Sequence, residues 1–394
     1  MSTKRPQHHV PGPKSGGRTI EAPGLLEDFR QRELSRRDLL KGAMVASAGL
    51  VSASLLGCGD GTRASTDAGG GIDAGPSTDF GTDAGPPPPR HLTGMGYSET
   101  SWTDALDAAL AETIGLSFVG PGDTIYFKVN SNSGDPYPLS TSPELIVELT
   151  RRCTDLGATR IIVGDRSFWG DTGTLANLRR NGIADAATTA GAELVVFDGA
   201  MVDWVSIPAG MAPNWVGGYR LPVPVMEATH IINLPCMKTH FIAHFTMALK
   251  NVLGLVNPDD RRRVGNLDVH AYPRLWQQIA QVNQGVTPSL NILDGYRALI
   301  TGGPTVHDGD GPTYADPKVY IVSTDRIAAD VTGIGVLQTL SPASEEVTLR
   351  NAWASPQIMA AVAAGNGIGS PDLLDLSGPT VPLIADYRDR ATRA

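Results

Sequence analysis

Cysteine is scarce in this chain of 394 residues: Cys58, Cys153 and Cys236 are all it has. If Cys58 is lipidated two thiols remain, which could form a single disulfide but cannot supply the four thiolates of a usual iron–sulfur cluster. Basic side chains are also short, 32 against 41 acidic ones, for a formal charge of -9. That sign repels a phosphate backbone, so nucleic acid is not an expected partner. Long apolar runs are missing as well, and the stretch Gly42 to Gly57 is too short for a comfortable transmembrane helix. There is no Walker loop, G-x-G-x-x-G fingerprint, G-x-S-x-G elbow or H-E-x-x-H pair, so none of the reactions those motifs announce is indicated.

The N-terminal region carries an address. Ser35-Arg36-Arg37-Asp38-Leu39-Leu40-Lys41 matches the twin-arginine pattern, and an Ala/Gly/Ser/Leu-rich segment comes after it. Leu55-Leu56-Gly57-Cys58 then has the form of a lipobox. Residues 1–57 are therefore expected to be an export signal, with Cys58 the lipidated first residue of the mature protein. The expected partners are the twin-arginine translocase, lipoprotein-processing enzymes and a membrane held through the lipid. The expected location is the extracytoplasmic side of the cell envelope. Cleavage removes nine basic and five acidic residues, leaving 23 against 36, a charge of -13. Residues 58–90 repeat Asp-Ala-Gly three times and end in four prolines. They have almost nothing to bury and read as a disordered tether.

From residue 91 to 394 strand-like and helix-like patterns alternate. Asp123 to Val129, Arg160 to Val163 and Glu193 to Phe197 read as strands. Ser142-Pro143-Glu144 is a helix start with cap, N1 proline and early acid in order, and Gly157 ends that helix. Later helices are expected at Tyr272 to Asn283, Arg326 to Leu340 and Pro356 to Ala364, and later strands at Leu290 to Leu293 and Lys318 to Val322. Residues 202–225, with Trp204, Trp215 and Tyr219, interrupt the rhythm and suggest an inserted hairpin or lid. The alternation predicts one α/β domain: a largely parallel sheet with helices on both faces, Rossmann-like and three-layered.

The densest polar stretch is Leu234 to Gly254, LPCMKTHFIAHFTMALKNVLG. A helix beginning near His240 would put His240, His244, Met247 and Asn251 on one stripe, with Thr246 and Lys250 beside it. Phe241, Phe245, Leu249 and Val252 would then face the core. Such a helix at a strand's carboxyl end suits an anion, a metal or a polar substrate. Alternatively the histidines are merely solvated and Lys250-Asn251 closes the helix before Gly254. The order N-L-P-x-x-K-T-H, then Thr246, then A-L-K-N-x-x-G resembles the signature of the family called domain of unknown function 362. Lys128-Val129-Asn130 resembles its K-P-N, with Val in place of Pro. Arg262 or Arg263 with His270, then Asp294, Gly303-Pro304, and Asp325 with Asp330 fall on its later elements. The resemblance spans about residues 123–378 and implies an α/β fold of unassigned activity. The ferredoxin-like module of some relatives is missing, so no iron–sulfur cluster is expected.

Polar groups stand at the end of each expected strand, at the edge where α/β sheets bind ligands. Lys128, Lys238 and Lys250 form a candidate cationic patch for a small anionic ligand, and His240 and His270 are candidate proton-transfer groups or ligands of a metal ion. Asn130, Asp165, Thr246, Asn251, Asp294 and Asp325 complete the candidate set, as groups that hold a cofactor or orient the others. The leading expectation is an enzyme that uses a metal or anionic cofactor on a small anionic substrate. The alternative is a lipoprotein that binds such a ligand without turnover.

Overall fold

Lys128 ends up buried because of how its strand is made. In Thr124–Val129 (β2), Phe127 and Val129 point to one face of the sheet and Tyr126 and Lys128 to the other, as the pleat requires. The computed structural model describes residues 92–167, 173–198, 202–261, 274–307, 311–340, 347 and 351–393, together with the backbone of Thr19 and Ile20. The expected signal, lipidation at Cys58 and tether fall outside the described residues, apart from Thr19–Ile20, whose backbone pairs in parallel with Trp204 and Val205.

The chain enters through Thr93–Tyr97 (β1) and Trp102–Ala111 (α1) before β2. Pro143–Asp155 (α2) starts as its sequence demands: the Ser142 hydroxyl accepts from the Leu145 N–H at 3.3 Å, with Pro143 in the first turn. Gly157 closes it with a φ of 102°. Next in the chain are Arg160–Asp165 (β3), Thr174–Arg180 (α3), Ile183–Ala190 (α4) and Glu193–Val196 (β4), then the antiparallel hairpin of Trp204–Ile207 (β5) and Tyr219–Pro222 (β6). His230–Leu234 (β7) returns to the sheet. Cys236–His240 (β8), His244–Thr246 (β9) and Ala248–Asn251 (α5) lead away from it. The C-terminal part contains Leu275–Gly285 (α6), Leu290–Thr301 (β10), Thr313–Ala315 (β11), Val319–Ser323 (β12), Arg326–Leu340 (α7), Pro356–Ala363 (α8), Leu376–Ser377 (β13) and Pro382–Thr392 (α9).

The central sheet has the order β13-β1-β12-β10-β7-β2-β3-β4. The strands from β10 to β4 pair in parallel, β12 is antiparallel to both β10 and β1, and β13 is parallel to β1. On one face Ile125, Phe127, Val129 and Ile232 pack with Leu145, Leu149 and Ile183 of α2 and α4. On the other face α7 lies against β10 and β12. The expected α/β fold, largely parallel and covered on both faces, is the fold observed.

Three local expectations change. The helix expected near His240 is a hairpin: β8 pairs with β9, setting Lys238 opposite Thr246 and His240 opposite His244. Helix begins only at α5. The cause is distant in sequence: β10 runs on past the sheet to Thr301 and offers its backbone to β8, with Asp294 beside Cys236 and Leu299 beside Lys238. The strand expected to stop at Leu293 is therefore much longer, and α6 starts at Leu275 rather than Tyr272. The 202–225 hairpin is bound to α6, since Trp215 Nε1 donates to the Gln278 carbonyl at 3.2 Å and Tyr219 Oη to that of Gln281 at 2.9 Å.

Candidate functional site

Strand order turns back at one point. From β2 the chain moves outward to β3 and β4, then crosses to β7 on the other side of β2. The crevice over the carboxyl ends of β2 and β7 is therefore a topological switch point, where open α/β sheets bind ligands. A cavity of about 40 Å³ lies there. By the measure that gives one water 10–15 Å³, it has room for about three heavy atoms, the size of a carboxylate or the outer part of a phosphate.

β2 brings Lys128 to this edge with its Nζ buried. The ammonium meets Asp165 Oδ1 at 2.8 Å, the Val129 carbonyl at 2.6 Å and Asn251 Oδ1 at 3.5 Å. Asp165, at the end of β3, also accepts from the backbone N–H groups of Ser131 and Arg166, each at 2.8 Å. The 3₁₀ turn Val252–Leu255 passes directly over this pair, and only glycine fits there: a Cβ on Gly254 would lie 2.3 Å from Asp165 Oδ1 and 3.1 Å from Lys128 Nζ.

Lys238, on β8, is wholly buried. Its Nζ donates to Asn130 Oδ1 at 2.8 Å and to the Leu139 carbonyl at 2.7 Å. Burial pushes the ammonium of Lys238 below the usual lysine range, and that of Lys128 likewise, although Asp165 pulls Lys128 back. Asn130 begins a row of buried amides that crosses the sheet. Its Nδ2 donates to Asn251 Oδ1 at 3.0 Å, Asn251 Nδ2 to Asn233 Oδ1 at 2.8 Å, and Asn233 Nδ2 to Asn291 Oδ1 at 2.9 Å. The row ends where Asn291 Nδ2 donates to the Ser323 carbonyl at 3.1 Å.

Lys250 and Asn251 ride on α5, whose first turn is held from below. Asp330 of α7 accepts from the Ala248 N–H at 2.7 Å and the Leu249 N–H at 3.1 Å. Burial raises its carboxyl to about 8 in spite of those two donors.

Arg166, Lys238, Lys250 and Arg261 line the cavity, and Asp165 is the carboxylate beside them among the described residues. Arg166 is partly offset by Asp198, which meets its Nε at 2.8 Å. Two polar atoms on the wall, Thr246 Oγ1 and Asn132 Nδ2, are buried with no hydrogen-bond partner. Buried polar atoms without a protein partner call for an explanation, such as a water, an ion or a ligand.

Of the candidates named from sequence, Lys128, Asn130, Asp165, Lys238, Thr246, Lys250 and Asn251 come together here. His240 does not line the cavity; its Nδ1 accepts from the N–H groups of Ile242 and Ala243 at 3.1 and 3.2 Å and so shapes the hairpin tip. Asp325 caps α7, accepting from Ala328 N–H at 2.8 Å. Asp294 sits apart, where it accepts from Tyr137 Oη at 2.9 Å, Tyr320 Oη at 3.1 Å and the Tyr296 N–H at 3.0 Å. Burial raises its carboxyl to about 6. His270 lies outside the described residues, as do Arg262 and Arg263. No group of three or more His, Cys, Asp or Glu is placed to hold a metal among the described residues. Cys153 and Cys236 are separate buried thiols.

Sequence reasoning passed over Asn132 and Arg261. Arg261 stands on the turn Pro258–Arg261, which Arg220 ties down through Asp260 at 3.0 Å. Its neighbours Arg262 and Arg263 masked it, because three consecutive arginines give no sign of which one turns inward.

A thylakoid-associated protein of Synechocystis sp. is 26% identical over 260 residues, which cover 64% of this chain and 75% of that protein. The family model described as Domain of unknown function (DUF362) matches residues 125–335, more than half of the chain and the span that builds the cavity, and the chain belongs to that family.

Proposed function

We propose that the cavity over β2 and β7 receives the anionic end of a small ligand, a carboxylate or phosphate group. One observation carries this reading: Thr246 Oγ1 and Asn132 Nδ2 lie without a hydrogen-bond partner among the described residues, on a wall that also holds Lys250 and Arg166. An oxyanion there can accept from the hydroxyl and the amide N–H, with cationic side chains on the same wall. The signals around Arg36-Arg37 and Cys58 support a lipid-anchored protein on the outer side of a membrane, and thylakoid association of the Synechocystis relative supports membrane association.

Calorimetry and thermal unfolding of the full chain in inorganic phosphate, sulfate and acetate test the binding. The expected result is saturable heat and a raised Tm; a response no larger than that to sodium chloride at equal ionic strength would overturn it. A Cys58→Ala variant is expected to leave the membrane fraction. Elemental analysis after native export tests the metal expected at His240 and His270.

A further inference from the structure

The two buried lysines are held differently. Lys128 Nζ has three acceptors around it, Asp165 Oδ1, the Val129 carbonyl and Asn251 Oδ1. An ammonium has three N–H groups, so this one is filled and its nitrogen has no lone pair to offer. Among the described residues Lys238 Nζ has two acceptors, Asn130 Oδ1 and the Leu139 carbonyl, and no ion pair. Two acceptors match the two N–H groups of a neutral amine, leaving a lone pair, and Lys238 is the one of these two lysines that lines the cavity. Lys250 and Arg166 on the same wall supply positive charge for a ligand's anionic end.

We propose that Lys238 forms an imine with the carbonyl carbon of a small anionic aldehyde or ketone, such as a 2-oxo carboxylate, whose anionic end is seated in this cavity. The inference rests on the anion-binding reading and adds a covalent step to it. The Nζ lone pair attacks the carbonyl carbon and a C–N bond forms. The carbonyl oxygen collects two protons, one from Nζ and one taken up from solvent, and leaves as water when the C–O bond breaks. Nothing is oxidised or reduced. The protonated imine keeps one N–H, which Asn130 Oδ1 is placed to accept. Burial, which favours the uncharged amine of Lys238, supports the same step.

The test is reductive trapping on the full chain. Pyruvate and cyanoborohydride are added, and labelled lysines are located by peptide mass spectrometry, a short task because the chain has seven lysines. The expected result is labelling of Lys238 about tenfold or more above exposed lysines, a difference of about 1.4 kcal/mol. Inorganic phosphate should suppress it, and acetone, which lacks the anionic end, should not label Lys238 preferentially. Labelling spread evenly over the lysines, or centred on another of them, would overturn the proposal. If phosphate binds and Lys238 stays unlabelled, the imine falls and the anion site stands; if phosphate neither binds nor protects, both fall. Lys238→Arg, whose guanidinium has no nucleophilic lone pair, should bind phosphate and lose the label, and the wild-type protection experiment decides the matter if that variant does not fold.

Discussion

A Cβ on Gly254 would stand 2.3 Å from Asp165 Oδ1, so the turn after α5 and the end of β3 meet with no room for a side chain. Replacing Gly254 by Ala must push the turn away from the Lys128–Asp165 pair. We expect a loss of about 1–3 kcal/mol in stability, read by chemical denaturation, and weaker phosphate binding. Wild-type values for both would show that the turn moves freely.

Asp165→Asn leaves Lys128 buried beside a neutral amide. Breaking a buried ion pair from one side costs about 3–5 kcal/mol. The double variant Lys128→Met, Asp165→Leu should recover part of that loss, because no charge then remains unmatched. A double variant less stable than Asp165→Asn alone would contradict this account.

Thr246→Val separates binding from stability. The Thr246 hydroxyl is buried without a partner, so removing it should raise the stability of the ligand-free protein by about 1 kcal/mol. The same change should weaken phosphate binding, because one donor is gone. A less stable variant with unchanged affinity would place the hydroxyl outside the site.

Arg166→Gln removes a charge from the wall while keeping a polar side chain. A hydrogen bond to a charged group is worth about 1.5–3 kcal/mol, so phosphate affinity should fall about tenfold or more. Its dependence on ionic strength should flatten, as titrations at several salt concentrations will show.

Asp294 gives the stability a pH dependence of known sign. Its carboxyl is raised by burial from an ordinary 3.8 to about 6, so between those values the folded protein binds more protons than the unfolded chain. The group's contribution is complete below 3.8 and is lost as pH rises through about 6. Asp330, raised to about 8, adds a slope of the same sign that extends to higher pH. Asp294→Asn should flatten the lower part of the profile in denaturation series, and an unchanged slope there would remove Asp294 as its source.

Much of this architecture is legible in local sequence because local rules decide it. The cap of α2 at Ser142-Pro143 and the full span of α7, Arg326–Leu340, are set by residues within a turn or two. The segment around His240 is not, because its hairpin depends on the extension of β10, some 60 residues later, where Leu299 pairs with Lys238. A four-residue spacing of histidines fits a helix, and Cys236, Lys238 and His240 fit a strand equally well; the distant backbone chose between them. The lysines and asparagines of the cavity could be gathered from the polar residues at the carboxyl end of each expected strand. The state of Lys238 could not, since it depends on where Asn130 and Leu139 place two oxygen atoms.

The asparagine row has a sense of direction. Every amide from Asn130 to Asn291 gives its N–H toward β12 and shows its oxygen toward Lys238, and the carbonyl of Ser323 anchors the far end. Turning any one amide around would set oxygen against oxygen on one side and N–H against N–H on the other. The dipoles therefore reinforce one another and leave electron density at the cavity wall. The nitrogen of Lys238 therefore faces an acceptor whose orientation is set three strands away, at the end of β12.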